Sequence, residues 1–436
     1  MSSAVGEQGP VQGTVAPGFE SVKRLYERET QEMAEQNTQL CIYYEGEQVV
    51  DLWRSTPNDS EFSADSLVNV FSSGKSLETI PIASLVGQGL LDYDAKIADY
   101  WPEFAENGKA DVTVADLMRH EAGLAAFNVP LSAEDLLTEN IKQNRVGKVI
   151  EGHPGRWPKG DGSQREYHAV TRGWIINELH RRVDPAGRTL GEWLREEVSG
   201  PLDADAFIGV AESDLPRVSP VVPLGIGFQL RQSLKPRALG RKIKISFLRL
   251  MGMLLRVIAG MRSATTRGGP PIFEGMKDIG FFNEPAVAMG ETPSAAANCS
   301  ARGLAKIAAM MAAGGTWAGR EVLSSQAWEA LHAHPVDASM IGARSNFTQG
   351  GVNQFDKTGA KSSSMERAFN DGREGFYGWM GLGGSIFQWH PEHEVGFAFV
   401  PTSLHVIDML NERGKVYQAE ALRCVAKLRS EARSPR

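Results

Sequence analysis

Strand signals stand near the two ends of this chain and helical signals fill the middle. Leu40–Tyr44 and Val49–Trp53 flank Glu45-Gly46-Glu47, which supplies the turn of a hairpin. Far downstream, Gly378–Trp389 reads as a glycine-rich strand, joined through the turn at His390-Pro391-Glu392-His393 to a partner at Val395–Pro401. An isolated hairpin is marginally stable in water and needs further strands or a helical layer. The two terminal regions are therefore expected to share one antiparallel sheet. The expected class is α+β: an antiparallel sheet flanked by helices, with a mainly helical second lobe. Residues 1–17 read as disordered, 18–76 and 301–430 as the sheet-bearing lobe, and 77–300 as the helical lobe.

Between the strands, Phe19–Met33 has the spacing of an amphipathic helix, and a helix opening at Ser72 runs to the Gly87-Gln88-Gly89 stop. Val112–Met118 is a short helix with Thr113 as its cap. Asn140–Lys148 reads as polar helix, and Val170–Arg182 as a buried one through Val170, Trp174, Ile175 and Leu179. Ala295–Ala313, Ser325–Ala333 and Leu404–Leu428 are further helices, while 342–376 reads as polar and irregular.

The net charge of −7 argues against nucleic acid as the main partner, because phosphate binding needs a positive surface. Charge is uneven, however. No Asp or Glu occurs between Asp214 and Glu274, a stretch holding eleven Lys and Arg. Within this insertion, 216–271, apolar residues nearly encircle a basic helix expected at Lys242–Met261. An internal lid over a cleft is the expected role, with membrane-surface contact through 242–261 and a partner interface as lesser alternatives. The most apolar run, Ile243–Gly260, is interrupted by Lys244, Arg249 and Arg256 and is a poor membrane span. Three well-separated cysteines form no disulfide framework, and the first fifteen residues lack a secretion signal. An intracellular, cytoplasmic protein is expected.

The chemistry concentrates at Ser72 and Lys75, the one serine in the chain with a lysine three positions on. On a helix the two side chains share a face. A neutral lysine there could take the serine proton and free its oxygen to attack a carbonyl. Tyr167, placed between a loop and a helix, could move protons beside them. Glycine-rich backbone at Gly381-Leu382-Gly383 could bring N–H groups to an oxyanion. The histidines at 332, 334, 390 and 393 lack the ligand spacing of zinc, so neither metal nor cofactor is expected. His120 reads as buried and structural, and His168, next to Tyr167, as a candidate to line the pocket.

The order Ser-x-x-Lys, Tyr, then glycine-rich strand, with the phrase His120-Glu121-Ala122-Gly123-Leu124, resembles the beta-lactamase-related serine hydrolases. That group includes class C beta-lactamases, penicillin-binding carboxypeptidases and serine esterases, and the resemblance covers about residues 20–430. It implies a beta-lactamase/transpeptidase-like fold, Ser72 as nucleophile, Lys75 as base, Tyr167 as proton-transfer group, and the N–H groups of Ser72 and Leu382 as oxyanion donors. Two departures disfavour beta-lactam hydrolysis. Ala169 replaces the family's asparagine, and Trp379-Met380-Gly381 replaces its strand motif; a tryptophan there is similar to the family's esterases. The literal Lys357-Thr358-Gly359 is expected to be a decoy, since no apolar strand follows it. The resemblance implies hydrolysis of a small-molecule ester or amide through an acyl-enzyme; an inactive scaffold and a small-peptide peptidase are the alternatives.

Overall fold

The computed structural model describes residues 9–155, 165–252, 255, 272–340 and 343–433. In chain order, the main-sheet strands and the helices that matter for the site begin with β1 (Gln12–Val15), α1 (Glu20–Glu32), β2 (Asn37–Tyr44) and β3 (Glu47–Ser55). After them come α2 (Lys75–Gly87), α3 (Thr171–Val183) and α4 (Ala301–Ala312). The C-terminal region adds β4 (Val336–Met340), β5 (Ala343–Phe347), β6 (Asn353–Gln354), β7 (Tyr377–Met380), β8 (Ile386–His390), β9 (Val395–Pro401) and α5 (Glu412–Arg433).

The nine strands form one antiparallel sheet in the order β1-β3-β2-β9-β8-β7-β6-β5-β4. The two ends of the chain meet where β2 pairs with β9, with Leu40 opposite Phe399 and Ile42 opposite Phe397. Alternation along β9 divides the core. Phe397 and Phe399 pack with Val22 and Tyr26 of α1 and Tyr417 and Val425 of α5, while Ala398 and Val400 join Leu304 and Ala308 of α4 on the other face. With both faces covered, all of β9 is buried. Gly396 lets α4 come this close, since a Cβ there would stand 2.4 Å from the Ala309 nitrogen. A second, four-stranded sheet (Ala206–Ile208, Ala297–Cys299, Leu67–Asn69, Val218–Ser219) belongs to the helical region and delivers the chain to Ser72.

Several local expectations are corrected. Gln12–Val15, expected to be disordered, is an edge strand paired with β3 through its backbone; residues 1–8 lie outside the described residues. The Gly378–Trp389 strand is two strands, β7 and β8, around a turn at Leu382–Gly384 in which Gly383 takes φ 79°. The stretch 342–376 holds β5, β6 and the helix Ser364–Asn370, whose capping box joins Ser363 and Glu366. Asn140–Lys148 falls into two helices broken at Asn144, φ 64°. The last helix starts at Glu412, not Leu404.

The basic insertion contributes Val218–Ser219 to the second sheet and pairs Val222–Pro223 with Ser403–Leu404. Of its expected helix Lys242–Met261, residues 242–246 are not helical, 247–252 are, and 253–254 and 256–261 lie outside the described residues. Ile245 and Leu250 pack with Ala368 and Leu410, and Lys244 pairs with Glu29. None of the described residues of the insertion up to 252 lines the cavity beside Ser72. All three cysteines are buried free thiols. Among the described residues, no helix is long and apolar enough to cross a membrane.

Candidate active site

Ser72 lies on a tight turn, Phe71–Gly74, that runs into α2. Phe71, just before it, takes φ 47°, a conformation costly for a bulky residue and held here by the Asn69 side chain accepting from its N–H at 2.8 Å. Gly74 is required by a close approach: a Cβ would stand 2.6 Å from the Pro293 carbonyl oxygen. The turn thus projects Ser72 into a cavity of about 400 Å³.

Lys75, one turn along, is fully buried. Its amine donates to the Ala169 and Ser294 carbonyls at 2.6 and 2.8 Å and lies 3.3 Å from Ser72 Oγ. A neutral amine has two N–H bonds and one lone pair; the two carbonyls take the former, leaving the lone pair for the serine hydroxyl. Burial holds the Lys75 pKa well below the usual lysine range, with Glu78 opposing and Arg172 reinforcing the shift. Tyr167 hydrogen-bonds Ser72 Oγ through its hydroxyl, and burial pushes its pKa up to about 12. The amine is therefore set to accept a proton and the phenol to keep one.

The pocket around these groups is strongly apolar. Phe71, Val170, Phe273, Phe282, Phe347 and five methionines (276, 340, 365, 380 and 409) line it. Trp379 stacks on Phe347 at 4.8 Å and on Tyr167 at 6.1 Å between ring centroids. Its indole N–H is committed to the Gly351 carbonyl at 2.7 Å, so it turns an apolar face to the cavity. Gly381 and Leu382 also line the pocket, opposite Ser72. Gly381 is hemmed in by the chain leading into the Ser72 turn, since a Cβ there would stand 2.2 Å from the Val70 carbonyl oxygen.

The structure thus brings Ser72, Lys75, Tyr167, Trp379, Gly381 and Leu382 together. His168 is elsewhere: fully buried, it accepts from Leu124 N–H at 3.0 Å and bonds the Glu166 carbonyl at 2.6 Å, and it does not line the pocket. Burial drops its pKa to about 3, so it is a neutral structural ring. His120, also buried, accepts the His168 N–H at 3.0 Å and lies against Tyr167 and Trp379 at 5.3 and 5.2 Å. Lys357-Thr358-Gly359 sits in a loop at a separate, polar concavity with Asp356 and Glu366.

A buried ion pair beneath the site escaped the sequence reading. Arg172 donates to Glu78 at 2.6 Å, both side chains fully buried, and also to the Lys75 carbonyl at 3.1 Å. The Ser294 hydroxyl donates to the same carboxylate at 2.9 Å. The available signal was a charged residue one turn beyond Lys75 in an otherwise apolar helix, and another within the buried helix after Tyr167. Among the described residues, no three His, Cys, Asp or Glu side chains cluster to hold a metal ion.

An alcohol, a buried amine and a phenol thus converge under an open pocket, between an antiparallel sheet and a helical region, in a protein of the beta-lactamase/transpeptidase-like fold. The chain belongs to the beta-lactamase family, whose model matches residues 23–420. A curated relative, the esterase/beta-lactamase LipL of Mycobacterium tuberculosis (strain ATCC 25618 / H37Rv), is 37% identical over 188 residues, which spans 42% of each chain. The match thus covers less than half of that relative's length. Among solved structures, a family VIII carboxylesterase superposes with a TM-score of 0.71 at 25% identity, covering 95% of this chain and 100% of that one. A penicillin-binding protein homolog from Caulobacter crescentus gives a TM-score of 0.71 at 24% identity, with coverage of 95% and 100%.

Proposed function

We propose that the protein is a carboxylesterase that cleaves esters with an apolar acyl part through an acyl-enzyme at Ser72. Lys75 takes the hydroxyl proton as Ser72 Oγ attacks the carbonyl carbon. The N–H groups of Ser72 and Leu382 hold the oxyanion that forms. As the intermediate collapses, Tyr167 protonates the departing alkoxide and the ester C–O bond breaks; water then attacks the acyl carbon and gives its proton to the Tyr167 phenolate, and Lys75 returns its proton to the Ser72 oxygen as that oxygen leaves, releasing the acid and restoring both groups. The carrying observation is a fully buried amine, its pKa held well below the usual lysine range, 3.3 Å from an alcohol on the floor of an apolar cavity. An engineered cavity near 150 Å³ accepts benzene, so about 400 Å³ admits on the order of a dozen carbon atoms. Trp379, Met380 and Ala169 support an ester over a beta-lactam, because none offers the polar contact that a bicyclic lactam and its carboxylate would use.

A fluorophosphonate probe and a series of p-nitrophenyl esters test this. Wild type labels and Ser72→Ala does not; kcat/KM rises with acyl length, by up to about fourfold per methylene while the pocket fills. An unlabelled wild type would sink the hydrolase reading in favour of a binding scaffold. Turnover of small peptides without turnover of esters would make the protein a peptidase.

A further inference from the structure

The helix Ile226–Ser233 is built inside out. Its buried residues are Gln229, Gln232 and Ser233, whereas Ile226 is 62% exposed and Phe228 and Leu230 are each 41% exposed. The polar side is tied down. Gln229 donates to the Leu224 carbonyl at 2.7 Å and accepts from Ile407 N–H at 3.3 Å, while Gln232 accepts from Lys242 N–H at 3.0 Å. The apolar side is thereby held towards solvent, and the surface continues through Leu234, Leu239 and Leu248, the last 84% exposed. Of the fourteen exposed large apolar residues among those described, nine lie within 222–255. Three others, Ile272, Leu382 and Met409, line the catalytic pocket. Such a concentration marks an interaction surface.

The charge interleaved with it has one sign. Arg231, Arg237 and Lys242 are exposed, and no carboxylate occurs from 215 to 273, in a chain whose net charge is −7. The buried centre of a protein–protein interface is depleted of lysine and of charge generally. Arg237 reaches Glu29 at 3.8 Å and Arg249 reaches Glu412 at 3.0 Å, but no carboxylate stands within the segment itself; exposed leucine, isoleucine and phenylalanine among such cations instead match a bilayer surface, where apolar side chains enter the headgroup boundary and cations meet lipid phosphates. The surface is also coupled to the pocket: Ile245 and Leu250 pack beside Met365, Phe369 and Leu410, three residues that line it.

We infer that residues 222–252 form a docking surface for membranes bearing anionic phospholipid, seating the pocket beside the lipid. The inference stands on the inverted helix and its charge, independently of the chemistry at Ser72.

Flotation of the full chain with vesicles of phosphatidylcholine, alone or mixed with phosphatidylglycerol, tests it. Wild type floats with the anionic vesicles, and raising the salt concentration releases it. Arg231→Ser with Lys235→Ser weakens binding by about fivefold for each cation removed. Ile226→Ser, Phe228→Ser, Leu234→Ser and Leu248→Ser together abolish flotation. Both variants keep the wild-type melting temperature and short-chain ester turnover, since these side chains point away from the core and the site. Equal flotation with both vesicle types, or with neither, overturns the proposal. So does a wild type that is dimeric by light scattering and becomes monomeric in the apolar variant, because a second copy would then be the occupant.

Discussion

The buried Arg172–Glu78 pair should set the pH at which Lys75 works, and the two partners should act in opposite directions. Burial is the main cause of the depressed Lys75 pKa; the Glu78 carboxylate raises it and the Arg172 guanidinium lowers it. Activity needs the unprotonated amine, so kcat/KM should rise with pH through that pKa. Glu78→Gln removes the raising influence and moves the acid limb to lower pH; Arg172→Gln removes a lowering one and moves it to higher pH. Either change leaves a fully buried charge without its partner, which costs about 3–5 kcal/mol. With unfolding entropy of about 2.1 cal/mol/K per residue, a chain of 436 residues should lose roughly 3–6 °C in Tm. The double variant should lose less than the two singles summed, because neither charge is then stranded. The assays are the pH dependence of kcat/KM on a soluble ester and a thermal melt for all three variants. Acid limbs that move in the same direction in both single variants, or not at all, refute the electrostatic account.

Three further outcomes can be checked. Tyr167→Phe should keep fluorophosphonate labelling while lowering kcat by about 10²–10⁴, the span of a lost general acid, as read by steady-state kinetics. Gly381→Ala should push the β7 end away from the nucleophile's turn, since the new Cβ would lie 2.1 Å from Ser385 Oγ and 2.2 Å from the Val70 oxygen; a fall in kcat of about 10²–10³ with little change in KM is expected from a misplaced oxyanion donor. His168, His180 and His405 are buried and held neutral, with pKa values of about 3, 4 and 3 against an ordinary 6.5. The unfolded chain therefore binds more protons, and stability present above pH 6.5 falls as pH drops towards 4, by about 1.4 kcal/mol per unit for each ring. Denaturant melts at a series of pH values measure that slope.

What could be read from the sequence follows what sequence patterns encode. The hairpin β2–β3 and the β8–β9 pair were legible because their turns and alternating residues are written locally, and Ser72, Lys75 and Tyr167 because their residue types carry chemistry. β1 was not: its residues, Gln12-Gly13-Thr14-Val15, are held by backbone pairing to β3 and bury little. β5 and β6 are short and polar, and Ser364–Asn370 is a short helix whose local signature is the capping box spelled by Ser363 and Glu366. Glycine at 381, 383 and 384 hid a turn inside what reads as one strand. His168 looked like a pocket residue from its position next to Tyr167, yet the backbone directs it to Leu124 N–H instead. The Arg172–Glu78 pair joins residues 94 positions apart, a separation at which no local pattern announces a contact.

The pairing of β2 with β9 also has a consequence for how the protein is made. Thr38 on β2 bonds alongside Pro401 on β9, so at about 5–20 residues per second the ribosome needs roughly 20–70 s after synthesising the first to deliver the second. Throughout that interval the β2 edge of the nascent N-terminal hairpin has no native strand partner, and unpaired strand edges are where chains stick to one another. Yield on overexpression should therefore depend on temperature and chaperone supply more than on the thermodynamic stability of the finished protein.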